Sequence, residues 1–490
     1  MQKKKPKKSW APPKQADRVA SKPSGEKKPP RPALADRAAP KPTGEKKPLR
    51  PALVAALLFL VCLACYLANG RTEPAVKSFD TLPNRILPFS ALAFHTITLD
   101  PFAVELAPYG RKLFVQRRRG HLVSFYPIGP ALIAFPIYLP AWAWLSASGR
   151  ATAADLFAVS PVMEKVSASM IAALTVVFIY LTLRRWISAR AAFLASVGLG
   201  LGTSMWATAS QLLWQHGPVA LGIAAGVFFL TTPQRSILSV SLAGLAYSLA
   251  VASRPTAAVF WMAAIGALLL EPRPLRQRFV SAAWFAAAGM PVLIFCFAYN
   301  VYWYSTPLGG YADANIEQVR PYSYDLAWHY VPKGIVGLLL SANRGLFIFM
   351  PVTLLGIIGL LRSFRRLRKE PLLPMLAIAS TFHFLLLSGY RYWHGGWAFG
   401  PRYLVDILPI LALGAGLELP RLGRGASAAL AIAFVWSVLV QWNGAFCYPA
   451  SQWDARMDHI TEKAVWNWDQ FELWQDFQQW RSWPFWAAPY

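Results

Sequence analysis

Apolar residues recur along the chain in runs of sixteen or more, separated by short polar or basic stretches. Such runs read as membrane-crossing helices of roughly 20 residues each. They predict spans at about 51–68, 161–183, 191–209, 216–231, 237–252, 255–270, 279–300, 333–361, 371–388, 402–419 and 425–446. The expected fold class is an all-α integral membrane protein with about 11 transmembrane helices, within a range of 10–13. One run, FYPIGPALIAFPIYLPAWAWL at 125–145, is apolar enough to span yet holds four prolines. Counting it as a crossing would put the later Arg184 cluster outside, so it is predicted as an outer-face helix that does not cross.

Composition agrees with the pattern. Of 490 residues, 55% are hydrophobic and 15% are charged, against roughly 25% charged in soluble domains, which excludes a large soluble domain. The net charge of +26 is uneven: residues 1–50 hold 16 Lys and Arg against 4 Asp and Glu, so +12 sits in one tail. That tail contains a tandem repeat, ADRVASKPSGEKKPPRPAL (16–34) followed by ADRAAPKPTGEKKPLRPAL (35–53). It lacks the apolar content to fold and reads as a disordered cytoplasmic leader touching anionic lipid. No aromatics interleave with its charges after Trp10, so nucleic acid is not an expected partner. Its charged region is also too long for a cleavable signal peptide. Cys62 and Cys65 fall in the first apolar run and Cys296 and Cys447 in or beside others, which makes no disulfide framework.

Basic loops stay cytoplasmic. The tail therefore places the N-terminus inside, and the clusters Arg184/Arg185/Arg190, Arg273/Arg276/Arg278, Arg362–Lys369 and Arg421/Arg424, with Arg235, mark further inner loops. Three regions follow: the tail 1–50, a polytopic region 51–450 with an outer loop at 69–124, and a Trp-rich interfacial tail 451–490 on the outer face. With this topology the motif-like stretches collect on the outer side. The first outer loop holds SFDTLPNRILP with Asp80 and Arg85; later come Tyr126, QLLWQHGP with His216, SRPT with Arg254, NRG with Arg344, and YRYWHGGWAFGPRYLVD with His394, Arg402 and Asp406. An Arg at a span end commonly snorkels to the headgroups. Arg254, Arg344 and Arg402, however, lie at turns between apolar helices, where ionisable groups are costly and face a cavity or partner. Arg suits phosphate, because its planar fork makes two hydrogen bonds and keeps its charge. Asp80 reads equally as a helix-capping or solvated acid and as a functional carboxylate. His216 reads as an interfacial histidine, a hydrogen-bond donor or a ligand. No metal-ligand spacing, Gly-rich phosphate loop or nucleophile elbow is present.

At these residues the sequence resembles the polytopic glycosyltransferases of the C-type fold, which include the protein O-mannosyltransferases and the bacterial aminoarabinose and lipopolysaccharide-sugar transferases. The resemblance runs over about 50–450 and rests on Asp80 in the first outer loop, the Tyr126–Pro130 segment, the LLWQHGP turn, the ASRPT turn, SANRGLFIF and GGWAFGPRYLVDILP. The family's paired acid is absent, because Thr81 follows Asp80. The resemblance implies a polyprenyl-phosphate sugar as donor and a lipid, glycan or protein as acceptor, with membrane lipids around the chain. It implies Asp80 as general base in an inverting transfer, with Arg85, Arg254, Arg344 and Arg402 as candidates for the phosphate and Tyr126, His216 and His394 for sugar or phosphate. The resemblance implies no organic cofactor, and a divalent cation is the one metal it admits. The outer face would be the periplasmic side of a bacterial inner membrane, holding the active site and the C-terminus. A flippase for a lipid-linked sugar is the alternative of another class, but it predicts inverted repeats that 51–450 does not display. An O-antigen ligase or polymerase is the other alternative, and it expects its main functional loop late in the chain.

Overall fold

A computed structural model describes residues 50–69, 78–110, 114–312, 326–396, 398–448, 453 and 462–480. The expected disordered leader, with all of its repeat up to residue 49, lies outside the described residues. The chain runs through α1 (Pro51–Leu67), α2 (Leu82–Phe94), the short α3 (Ala103–Leu106), a hairpin of β1 (Val115–Arg118) and β2 (His121–Ser124), α4 (Gly129–Ala147), α5 (Ala153–Leu183), α6 (Ala189–Leu201), α7 (His216–Leu230) and α8 (Ile237–Ser253). It continues with α9 (Ala258–Leu270), α10 (Leu275–Tyr304), α11 (Val331–Leu340), α12 (Leu346–Phe349), α13 (Leu354–Ser363), α14 (Leu372–Ser388), α15 (Leu408–Glu418) and α16 (Arg424–Phe446), then two short C-terminal helices, Glu462–Trp466 and Glu472–Trp480.

Among the described residues, five helical stretches are long and apolar enough to cross a membrane: Gly129–Ala147, Ala153–Leu183, Leu275–Tyr304, Arg402–Arg421 and Arg424–Phe446. Six shorter apolar helices of 10–17 residues accompany them. One expectation changes, at 333–361. The proline-rich run at 125–145, apolar enough to span as its sequence shows, forms a continuous 19-residue helix. Its prolines permit this because Pro127 precedes the helix and Pro130 falls in the first turn, where its missing N–H costs nothing, leaving Pro136 and Pro140 inside. The run at 333–361, expected as one long span, is broken into α11, α12 and α13. Gly345 sits with its Cβ position 2.5 Å from the Ser341 carbonyl oxygen, and Pro351 removes a backbone donor, so regular winding stops between Ser341 and Thr353.

The helices pack through small residues, as expected where lipid removes any hydrophobic drive between them. A Cβ added at Gly359 on α13 would lie 2.0 Å from the Gly414 carbonyl oxygen on α15, and one at Gly356 would lie 2.3 Å from that of Leu411. A Cβ at Gly244 on α8 would lie 1.9 Å from the Phe285 carbonyl oxygen on α10. Polar side chains tie the bundle where backbones diverge. The buried Lys165 of α5 donates to Gln211 Oε1 at 2.6 Å and Asn69 Oδ1 at 2.9 Å. Asn69 in turn donates to Gln211 Oε1 at 2.8 Å and to the Ala445 carbonyl at 2.5 Å. These contacts join the end of α1, α5, the Gln211 turn and α16. Replacing Gly359 by Val is expected to overpack the α13–α15 contact and cost about 1–3 kcal/mol, seen as a lower melting temperature in detergent. Gly425→Ala, with nothing within 4 Å of its Cβ position, is expected to leave melting unchanged.

Candidate active site

Several of the polar turns meet around one cavity. The loop before α2, the Tyr126 segment before α4, the turn leading into α7, the α8–α9 turn and the stretch from Tyr390 to Tyr403 enclose a cavity of about 450 Å³. Of the residues singled out in the sequence, Asp80, Tyr126, His216, Arg254 and Arg402 line it.

Asp80 immediately precedes Thr81, the N-cap residue of α2, and α2 has no side-chain cap. Its carboxylate is therefore not spent on the helix end, and among the described residues it forms no ion pair. Tyr126 stands beside it: burial first, and then the Asp80 charge, hold the phenol protonated well above its usual range. Across the cavity Tyr311 accepts a hydrogen bond from the Gln215 side-chain amide. Burial keeps this phenol protonated too, despite the opposing pull of Gln215 and Arg254. Tyr126 and Tyr311 lie edge to face with ring centroids 6.0 Å apart.

Arg254 and Arg402 differ in how they are held. Arg254 ends α8 in extended conformation and places Nη1 2.5 Å from Asp406 Oδ2. The fully buried Asp406 also holds His216 Nδ1 at 2.9 Å through Oδ1 and accepts from His383 Nε2 at 3.0 Å through Oδ2. Arg254 Nη1 is 3.0 Å from the same His216 nitrogen. Arg402, by contrast, is half-buried with its guanidinium 5.4 Å from the Trp214 ring and 5.7 Å from the Tyr403 ring. Among the described residues it has no carboxylate partner, and its buried Nε has no hydrogen bond. The cavity thus carries one cation already balanced and one uncommitted.

Three predicted site residues lie elsewhere. Arg85 turns away from the cavity to the buried Glu164, 3.7 Å from its Oε2, while Glu164 Oε1 accepts from the Leu213 backbone N–H. A carboxylate on an apolar helix needs a cation, and Arg85 supplies it. Arg344 is fully buried against Glu472 at 2.7 Å. His394 is buried near Arg344; burial and then the charges of Arg344 and Arg402 push its pKa down to about 3, and its Nδ1 accepts from the Gly396 N–H at 3.3 Å. Sequence reading did not single out His383, Asn84, Trp214, Gln215, Thr256, Tyr390 or Tyr403. His383 had a usable signal, a lone ionisable residue inside an apolar helix; the aromatic residues had none, since Tyr and Trp are common at membrane interfaces. Among the described residues no group of three His, Cys, Asp or Glu side chains is placed to hold a metal ion.

No protein-family model matches the chain and no curated protein matches its sequence. Among solved structures it is similar to ArnT from Cupriavidus metallidurans bound to undecaprenyl phosphate, at 15% identity and a TM-score of 0.48, over 88% of this chain and 75% of that one. It is similar to the oligosaccharyltransferase of Archaeoglobus fulgidus in the apo form, at 12% identity and a TM-score of 0.50, over 82% of this chain and 56% of that one. It is also similar to that organism's oligosaccharyltransferase AglB in complex with an inhibitory peptide and a dolichol-phosphate, at 12% identity and a TM-score of 0.47. The chain spans little more than half the length of the archaeal enzyme. Its fold is that of the C-type glycosyltransferases.

Removing the Asp406 carboxylate as Ala is expected to strand Arg254 as a buried, uncompensated charge, costing about 3–5 kcal/mol and visible as a large drop in melting temperature. Asp80→Asn keeps a side-chain oxygen to accept the Tyr126 hydroxyl and is expected to stay within about 0.5 kcal/mol of wild type.

Proposed function

We propose that this chain, built on the C-type glycosyltransferase fold, transfers a sugar from a polyprenyl-phosphate donor to a hydroxyl of a lipid, glycan or protein acceptor, with inversion. The observation that carries this reading is the pairing, across one cavity, of the carboxylate of Asp80, free of ion pairs, with the uncommitted guanidinium of Arg402. An inverting transfer needs one base on the attacking side and a cation on the leaving side.

In this reading Asp80 takes the acceptor hydroxyl proton as the oxygen attacks the anomeric carbon. The bond from that carbon to the phosphate oxygen breaks, and polyprenyl phosphate leaves with one further negative charge. Arg402 is placed to bind that growing charge, and a donor already fixed in position stabilises the transition state more than the ground state. Arg254, its own charge matched by Asp406, contributes directed N–H bonds rather than net charge. Tyr126, Trp214, Tyr311, Tyr390 and Tyr403 give the aromatic walls on which a sugar ring packs. The membrane-spanning region supplies the lipid-facing setting for an isoprenoid chain, and the basic leader places the N-terminus in the cytoplasm and the cavity on the periplasmic side of a bacterial inner membrane.

The test is release of free polyprenyl phosphate from a panel of polyprenyl-phosphate sugars in acceptor-replete membranes. Wild type is expected to consume one donor, and Asp80→Asn, expressed to the same level, to lose about 10²–10⁴-fold in rate, the range for loss of a general base. Arg402→Gln is expected to lose about 10²–10³-fold in kcat/KM. Equal consumption by wild type and Asp80→Asn removes Asp80 as base. No consumption of any donor, with flipping of a lipid-linked sugar detected instead, replaces transfer by transport.

A further inference from the structure

The C-terminal helices reach the site through a short relay that begins at Asn343–Arg344. Asn343 Nδ2 donates to the carbonyls of Ala464, Asn467 and Gln470 at 3.0–3.3 Å, and its Oδ1 accepts the Glu472 backbone N–H at 2.8 Å. Its own backbone N–H donates to the Val465 carbonyl at 3.2 Å. One side chain therefore fixes both short helices, and the break between α11 and α12 exposes its backbone to them. Next to it Arg344, fully buried, donates through Nη1 to Glu472 Oε2 at 2.7 Å and through Nη2 to the Gly396 carbonyl at 3.4 Å.

Gly396 belongs to a left-handed turn, with φ +85° at Gly395 and +64° at Gly396, a conformation that L side chains rarely adopt. That turn lies against Arg402: the Cβ position of Gly395 is 3.4 Å from Arg402 Cγ and 3.6 Å from its Nε. Arg402 has aromatic rings on its guanidinium and no carboxylate among the described residues to fix its direction. The Gly395–Gly396 backbone is next to the Arg402 stem, and that backbone is held by Arg344, whose charge is balanced by Glu472.

We propose that Glu472 is a positioning residue for Arg402, acting through Arg344 and the Gly395–Gly396 turn, so that the C-terminal segment 462–480 is part of the phosphate-binding machinery. The inference rests on Arg402 as the phosphate ligand. A membrane-anchoring role for this segment would need only its exposed Trp468 and Trp474; it gives no reason to bury a carboxylate on a guanidinium that reaches the Gly396 carbonyl.

The experiment measures the affinity of purified full-length protein for undecaprenyl phosphate by competition with the radiolabelled lipid, alongside melting temperature and sugar transfer. Glu472→Gln is expected to weaken binding about ten-fold, in the range of contacts coupled through a shared neighbour. Arg402→Gln is expected to weaken it about thirty-fold, as for loss of a charged hydrogen bond. The Glu472→Gln/Arg402→Gln double variant should bind no worse than Arg402→Gln within about a factor of two, because a positioning residue has nothing left to position. The Arg344→Met/Glu472→Met pair removes both buried charges together, a change that buried pairs tolerate. It is expected to melt near wild type and to bind as weakly as Glu472→Gln, which keeps the test sharp if Glu472→Gln folds poorly. Wild-type affinity in the Met/Met variant, or losses that multiply in the double variant, would overturn the proposal. Wild type binding the lipid without transferring sugar overturns the transferase reading and leaves this one standing; wild type failing to bind the lipid overturns both.

Discussion

A single buried carboxylate holds the site together. Asp406 is fully buried and meets the start of α7 through His216, the α8–α9 turn through Arg254 and the middle of α14 through His383. Taking a charged carboxylate out of water is costly unless it is both paired and hydrogen-bonded. Here both oxygens are used, and the cation it balances is the one whose other face lines the cavity. Any displacement of these three elements strands a charge, so the carboxylate that Asp406 needs satisfied fixes the relative position of helices that lipid alone would leave free to slide.

The same economy explains why two arginines on one wall do different work. Arg254 is neutralised and clamped, which suits a residue that shapes the pocket. Arg402 rests between Trp214 and Tyr403, where rings restrain its direction without cancelling its charge. A guanidinium in this state is pre-organised and still available, the combination that electrostatic catalysis needs. The buried pairs Arg85–Glu164 and Arg344–Glu472 sit just behind the cavity and use their charges on structure. Glu164 ties the Leu213 backbone, next to Trp214, to the helix that follows Asp80. Among the described residues the charges of Arg85–Glu164, Arg344–Glu472 and Arg254–Asp406 are paired, whereas Asp80 and Arg402 on the cavity lining form no ion pair.

The departure from the expected helix pattern comes from local rules being overruled by neighbours. The stretch 341–353 is apolar enough to continue as a helix, yet Asn343 and Arg344 find six partners in the C-terminal segment and the Gly396 turn. Hydrogen bonds from a helix-breaking Asn-Arg-Gly sequence outweigh the few regained by continuous winding, and Gly345 and Pro351 mark where regularity is given up.

The sequence by itself determined the membrane class, most of the helix positions and the family resemblance, because hydropathy and charge act on contiguous residues. Asp80, Tyr126, His216, Arg254 and Arg402 were legible as polar groups at turns where burial is costly. The tertiary structure decided which of them share a cavity and which arginines are already spent. His216 meets Asp406 across 190 positions of chain, and Arg344 meets Glu472 across 128. Whether a charge is free or paired depends on what stands within about 4 Å of it, and spacing along the chain does not carry that distance.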